Sequence, residues 1–162
     1  MALREHSIYD CIINNARNFS DEIALVSGDL RLTYGEVPFH VNSLARGLLN
    51  TGFEKGDRIG VLLNNCAEYA LLLAACTRIG LITVCLNTRT SSDEMSKILE
   101  QAKPKALIFQ KSYEQQADEL RELGIHRQLY CIDEASILSS SFDQLLDEDQ
   151  SPLTESQPAV DD

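Results

Sequence analysis

Apolar residues recur along this chain in two alternating rhythms, and the alternation predicts both its elements and their order. Residues 7–17 place Ile8, Cys11, Ile12 and Ala16 at helical intervals, with Ser7 available to cap the first turn. Ile23-Ala24-Leu25-Val26 and Leu30-Arg31-Leu32-Thr33 flank Ser27-Gly28-Asp29, the pattern of a β-hairpin. Helical stretches then alternate with short apolar runs at residues 58–63, 82–86, 106–109 and 128–132. These runs are too continuous for strands with one wet face, so they read as strands buried on both sides. The alternation implies an α/β fold: a mostly parallel sheet with helices on both faces, preceded by an N-terminal helix and a short β-hairpin.

The four helices after the hairpin share a start signal. Thr33 precedes Glu36 by three residues, as Asn65 does Glu68, Ser91 does Glu94 and Ser112 does Gln115. An oxygen-bearing cap and a Glu or Gln at the third helical position satisfy orphan N–H groups in both directions. The first of these helices carries Val37, Val41, Leu44, Ala45 and Leu48 on one face and ends near Gly52. Pro38 lies beyond the tolerated first position, so that turn is distorted or the helix begins late. The second, residues 66–79, is apolar almost all round, which predicts burial on most sides, and Gly80 suits a left-handed cap. The third uses Met95, Ile98, Leu99 and Ala102 and stops before Pro104; the fourth uses Tyr113, Ala117 and Leu120 and ends at Gly124. Residues 143–146 add a last helical turn.

At 162 residues the chain suits one α/β unit, residues 1–146, with a sizeable core. Asp147, Glu148, Asp149, Glu155, Asp161 and Asp162, with two prolines and no Lys or Arg, mark residues 147–162 as an acidic flexible tail or linker. A formal net charge of −11 disfavours nucleic acid and anionic lipid as partners. No apolar run nears the roughly 20 residues of a membrane span, and charges scattered through the opening segment disqualify a secretory signal. Cys11, Cys66, Cys76, Cys85 and Cys131 form no CxxC pair, and most have apolar neighbours that mark them as free core thiols. His6, His40 and His126 lack ligand spacing. A reducing, cytoplasmic setting is expected.

Open parallel sheets commonly bind ligands beyond the carboxyl ends of their strands. Here those ends carry Asn64-Asn65, Asn87-Thr88-Arg89, Gln110-Lys111 and Asp133-Glu134. Neither glycine-rich phosphate cradle, the dinucleotide type or the P-loop type, follows any strand. Gly52 and Gly56 stand between a helix and a strand, where a cap and a turn belong. Two amides end the first parallel strand, which is not the paired carboxylate of a phosphoacceptor. No Ser or Cys nucleophile is matched to a positioned His. The residues alone describe an α/β domain without a visible catalytic constellation.

Motif order adds more. Asp21-Glu22-Ile23-Ala24-Leu25-Val26, Leu32-Thr33-Tyr34-Gly35-Glu36-Val37, Lys55-Gly56-Asp57-Arg58-Ile59 after Gly52, Asn65-Cys66 with Glu68, and Arg78-Ile79-Gly80 through Leu86-Asn87-Thr88-Arg89 run in sequence. Ser92-Asp93-Glu94-Met95, Ile98-Leu99 and Lys105-Ala106-Leu107-Ile108-Phe109 follow. Together, over about residues 7–135, they resemble the N-terminal part of acyl-adenylate-forming (AMP-binding) enzymes, and the Asn-Thr-Arg form looks most like the acyl-CoA synthetase branch. Cys85 stands where that pattern usually has proline, and Pro38 is also atypical. Such enzymes activate a carboxylate with ATP as an acyl-adenylate, releasing pyrophosphate, then pass the acyl group to a thiol, often that of CoA.

The resemblance implies that this segment is a truncated portion of the large N-terminal domain of that fold. The phosphate loop and its lysine are then expected shortly after residue 162, with the magnesium and ribose carboxylates and the catalytic lysine later still. On this reading the segment has no catalytic residue, no metal ligand and no cofactor of its own, and is inactive alone. ATP, Mg and CoA belong to the intact enzyme, with a carboxylic acid as substrate. One residue is implied as a site: an arginine at the position of Arg89 approaches the CoA nucleotide phosphate in some CoA ligases, against the alternative of a structural arginine bonding turn carbonyls. Thr33, Tyr34 and Glu36 read as capping and packing groups. Two other readings stay open: a stand-alone non-catalytic interaction domain derived from this fold, and a flavodoxin-like binding domain. A bared surface or free strand edge also predicts self-association.

Overall fold

The computed structural model describes residues 7–123, 128–133 and 139–147. Helix α1 (Ile8–Asn18) opens on a capping box in which Ser7 and Asp10 bond reciprocally. None of its residues is fully buried. Ile8 and Cys11 face solvent, while Tyr9 and Ile12 pack against the core. The Tyr9 hydroxyl donates to Asn42 at 2.9 Å, and the Arg78 guanidinium lies 3.9 Å above the Tyr9 ring. The seam of α1 is thus held by a tyrosine that the helical spacing did not single out.

Strands β1 (Ile23–Ser27) and β2 (Leu30–Thr33) form the antiparallel hairpin. Helix α2 (Val37–Asn50) follows, then β3 (Arg58–Leu62), α3 (Ala67–Ile79), β4 (Ile82–Cys85), α4 (Ser92–Ala102), β5 (Ala106–Phe109), a 3-10 turn (Lys111–Tyr113) leading into α5 (Glu114–Glu122), and β6 (Gln128–Cys131). A two-residue strand, β7 (Ser140–Ser141), and a 3-10 turn (Phe142–Leu145) complete the described elements. The large sheet has the order β4-β3-β5-β6-β7, and every pairing in it is parallel.

Strand periodicity divides the core cleanly. Ile59, Val61, Ala106, Ile108 and Tyr130 enter one apolar cluster with α2 and α3; Leu62, Leu107, Phe109, Leu129 and Cys131 enter a second with α4 and α5. Gly60 belongs to the second face: a Cβ there would sit 3.0 Å from Leu107 and 3.4 Å from Leu99. Helices therefore cover both faces, as the α/β reading expected.

Several local expectations need correction. β4 is an edge strand with Ile82 and Cys85 exposed, because nothing described pairs beyond it. α3 is buried along one side only; Ala70 is exposed and Leu71 and Leu73 are half-buried, since the helix lies over the sheet margin. Of the capping boxes, Ser91–Glu94 forms in full. Asn65 does not cap α3, whose N-cap is Cys66 with no side-chain bond. Ser112 does not cap α5, because the 3-10 turn displaces the helix start to Glu114. Thr33 and Glu36 do bond reciprocally, but they close the turn before α2, so Pro38 falls within the first helical turn, where its missing N–H costs nothing. Cys76 and Cys131 are buried, whereas Cys11 and Cys85 are exposed and Cys66 is half-buried. Gly124, His6, His126 and Glu134 lie outside the described residues.

Candidate functional site

Parallel pairing brings the carboxyl ends of β3, β4, β5 and β6 to one end of the sheet. After β3, Asn64 places its Nδ2 3.1 Å from Gln110 Oε1, and its Oδ1 accepts from the Tyr113 hydroxyl at 2.7 Å. The Lys111 N–H donates to Asp133 Oδ2 at 2.7 Å, and its ammonium pairs with Glu114. Asn64 and Gln110 thus tie the loops after β3 and β5 together, and Asp133 joins the end of β6 to them. Tyr113 belongs to this network, although its spacing suggested only packing; a tyrosine flanked by strand-end amides was the available signal.

After β4 the chain turns sharply. Asn87 Oδ1 accepts from the Arg89 N–H at 3.0 Å, and the Asn87 carbonyl accepts from Thr90 N–H at 3.0 Å. This Asx turn hands the chain to the Ser91 cap of α4. The turn is therefore closed by Asn87, and the exposed Arg89 guanidinium bonds none of the described residues. A guanidinium fork left in solvent at a strand end suits an incoming phosphate.

A triphosphate does not fit these residues. Helix N-termini are the natural anion sites at this end, but Glu94 already occupies the start of α4 and Glu68 lies in the first turn of α3. The left-handed glycines that could form a backbone cradle are elsewhere. Gly28 turns the hairpin, Gly52 and Gly56 lie before β3, and Gly80 caps α3. Among the described residues no cluster of three His, Cys, Asp or Glu side chains could hold a metal ion.

Two thiols, Cys66 at the start of α3 and Cys76 within it, are poor nucleophiles. Burial pushes the Cys66 thiol up to about 11 and Cys76 up to about 12. Burial, with a hydrogen bond to Cys85, raises Tyr69 to about 12. These three groups stay protonated at neutral pH, so none is poised for attack.

The geometry defines a class first: a parallel, two-faced α/β scaffold whose described strand ends are braced by amides and carry the exposed guanidinium of Arg89. The family model for AMP-binding enzymes matches residues 13–162, and the chain belongs to that family. It is 33% identical over 117 residues to an acyl-CoA ligase of Ajellomyces capsulatus, covering 69% of this chain and 20% of the relative. It is 32% identical over 116 residues to a mitochondrial medium-chain acyl-CoA ligase of Pongo abelii, covering 70% and 19%. The chain thus spans about a fifth of the length of these curated relatives. A solved structure described as a long-chain-fatty-acid CoA ligase, from Rhodopseudomonas palustris, superposes with a TM-score of 0.86 at 27% identity, covering 95% of this chain and 39% of that one. A fatty acyl CoA synthetase of Mycobacterium tuberculosis superposes with a TM-score of 0.78 at 25% identity, covering 90% and 29%. The fold is that of part of the N-terminal domain of adenylate-forming ligases. No helix among the described residues is long and apolar enough to cross a membrane.

Proposed function

We propose that these residues are the N-terminal scaffold of an ATP-dependent acid–thiol ligase that forms an acyl-adenylate and transfers the acyl group to CoA. Family membership carries the reading. ATP, Mg and CoA act in the intact enzyme on a carboxylic acid substrate, in a reducing, cytoplasmic setting. The 162 residues alone do not adenylate, because charge developing on the transferred phosphate finds no cradle of backbone donors and no metal cluster among the described residues. Residues 1–146 are the structural unit, and Arg89 contacts a phosphate of the CoA nucleotide.

The role of Arg89 is tested in the intact ligase. Arg89→Ala should raise the KM for CoA by roughly tenfold, the loss of one charge-assisted bond, and leave acyl-adenylate formation unchanged. An unaltered CoA requirement would remove Arg89 from the site, and a loss of adenylate formation would assign it to the first half-reaction instead.

A further inference from the structure

Strand β4 closes one margin of the five-stranded sheet, and the backbone groups on its outer side bond none of the described residues. Ile82 and Leu86 donate their N–H groups inward, to the Asp57 and Val61 carbonyls at 2.8 Å. Backbone groups of successive strand residues point to opposite sides, so the intervening Thr83 and Cys85 turn their N–H and C=O groups outward. Proteins blunt such an edge with lysine, proline or a bulge. Ile82-Thr83-Val84-Cys85 has no charge and no proline, and its register with β3 runs unbroken from Arg58↔Ile82 to Val61↔Cys85. Ile82 is 46% exposed and Cys85 is exposed, which leaves the margin open among the described residues. Cys85 is decisive here. The proline that the AMP-binding pattern usually has at this position would present no N–H, and Cys85 presents one.

The outward pattern is its own complement. In an antiparallel pairing about a two-fold axis at Val84, Thr83 of one copy stands opposite Cys85 of the other. Each such pair exchanges N–H···O=C bonds in both directions, and symmetry forms both pairs together. Val84 then meets its own mate at the non-bonded position, where facing side chains lie closest. Although the chain carries a formal net charge of −11, the strand brings no charge to this contact. A second copy therefore satisfies the outward donors and acceptors of β4 at once.

We propose that β4 is the interface of a homodimer of this chain, in which two five-stranded sheets join antiparallel across Thr83, Val84 and Cys85. So short a strand gives a small contact, and the association is reversible and dependent on concentration. The interface is independent of the ligase reading, since it uses no residue assigned to CoA.

The test is sedimentation equilibrium of the 162-residue chain under reducing conditions, paired with hydrogen exchange at low and high protein concentration. A reversible monomer–dimer equilibrium should appear. Exchange at the Thr83 and Cys85 amides should slow as concentration rises, while the Ile82 and Leu86 amides, already bonded inward, change little. Cys85→Pro deletes one donor from each copy and should weaken dimerisation roughly thirtyfold. Cys85→Ala keeps the N–H and should leave dimerisation unchanged, which separates a backbone contact from a thiol contact. A chain that stays monomeric at millimolar concentration would overturn the proposal. So would a dimer whose Thr83 and Cys85 amides exchange as in the monomer, full affinity in Cys85→Pro, or equal weakening by Cys85→Ala and Cys85→Pro.

Discussion

The two faces of the sheet are built on different principles. On the α4–α5 face, α4 is assembled from short-range signals: a complete capping box at Ser91 and Glu94, and apolar Met95 and Leu99 one turn apart. On the α2–α3 face, the decisive contacts come from far along the chain. Phe142 and Leu145 enter the core there, and the Leu145 carbonyl lies so close to α2 that a Cβ on Gly47 would approach its oxygen to 1.9 Å. Ser43 bonds the Asp147 backbone in both directions, and Asn50 donates to the Asp147 carboxylate at 2.6 Å. One face is specified by neighbours in sequence, the other by a strap that returns about a hundred residues later.

That contrast yields ordered predictions. Gly47→Ala drives a methyl into the Leu145 carbonyl and should cost about 4 kcal/mol, at the upper end for overpacking. Amide exchange should then accelerate in residues 140–147 before it does in α4; the reverse order would contradict the strap's dependence on Gly47. Leu99→Ala, on the other face, opens a cavity and should cost about 3 kcal/mol, measured by urea denaturation. Ser91→Ala removes one cap and should cost only about 1 kcal/mol. A larger loss would mean that α4 leans on more than its own first turn.

The smallest effect is electrostatic. Hydrogen bonds from Thr33 hold the Glu36 carboxyl below its ordinary 4.5, and bonds from Ser92 and Gln115 do the same for Glu119. A carboxyl with a lowered folded pKa adds stability above its unfolded value. The contribution is lost as pH falls through the folded value, so acidification below about 4.5 should weaken the fold slightly. Carboxyl resonances of both residues should titrate with midpoints below 4.5; a midpoint at or above that value would dissolve the link.

Much of this architecture was legible in the residues. Three of the four apolar runs became parallel strands, β3, β5 and β6, that alternate their side chains between two covered faces, and Gly80 took its left-handed cap at φ 73°. Capping failed as a guide at Asn65 and Ser112, where nearby backbone geometry, an extended Cys66 and a 3-10 turn, set the helix start. The exposed edge at β4 was hidden because strand composition reports β-propensity and not the number of neighbours a strand finds. β7 was illegible for a similar reason: Ser140 and Ser141 carry no apolar signal, and only pairing with Tyr130 and Cys131 makes them a strand. Asp147, which composition assigned to the acidic tail, is bonded to α2, because a charge count says nothing of a long-range hydrogen bond. Arg89 was visible as a residue, but its freedom from the turn depended on Asn87 closing that turn instead.

The central claim is that this segment is a scaffold whose own residues do not handle triphosphate. Carboxylate-dependent exchange of labelled pyrophosphate into ATP tests it most directly, with the 162-residue chain, Mg and a panel of short, medium, long and aromatic acids. The account predicts no incorporation above the acid-free blank for any acid. Acid-dependent label in ATP would contradict it.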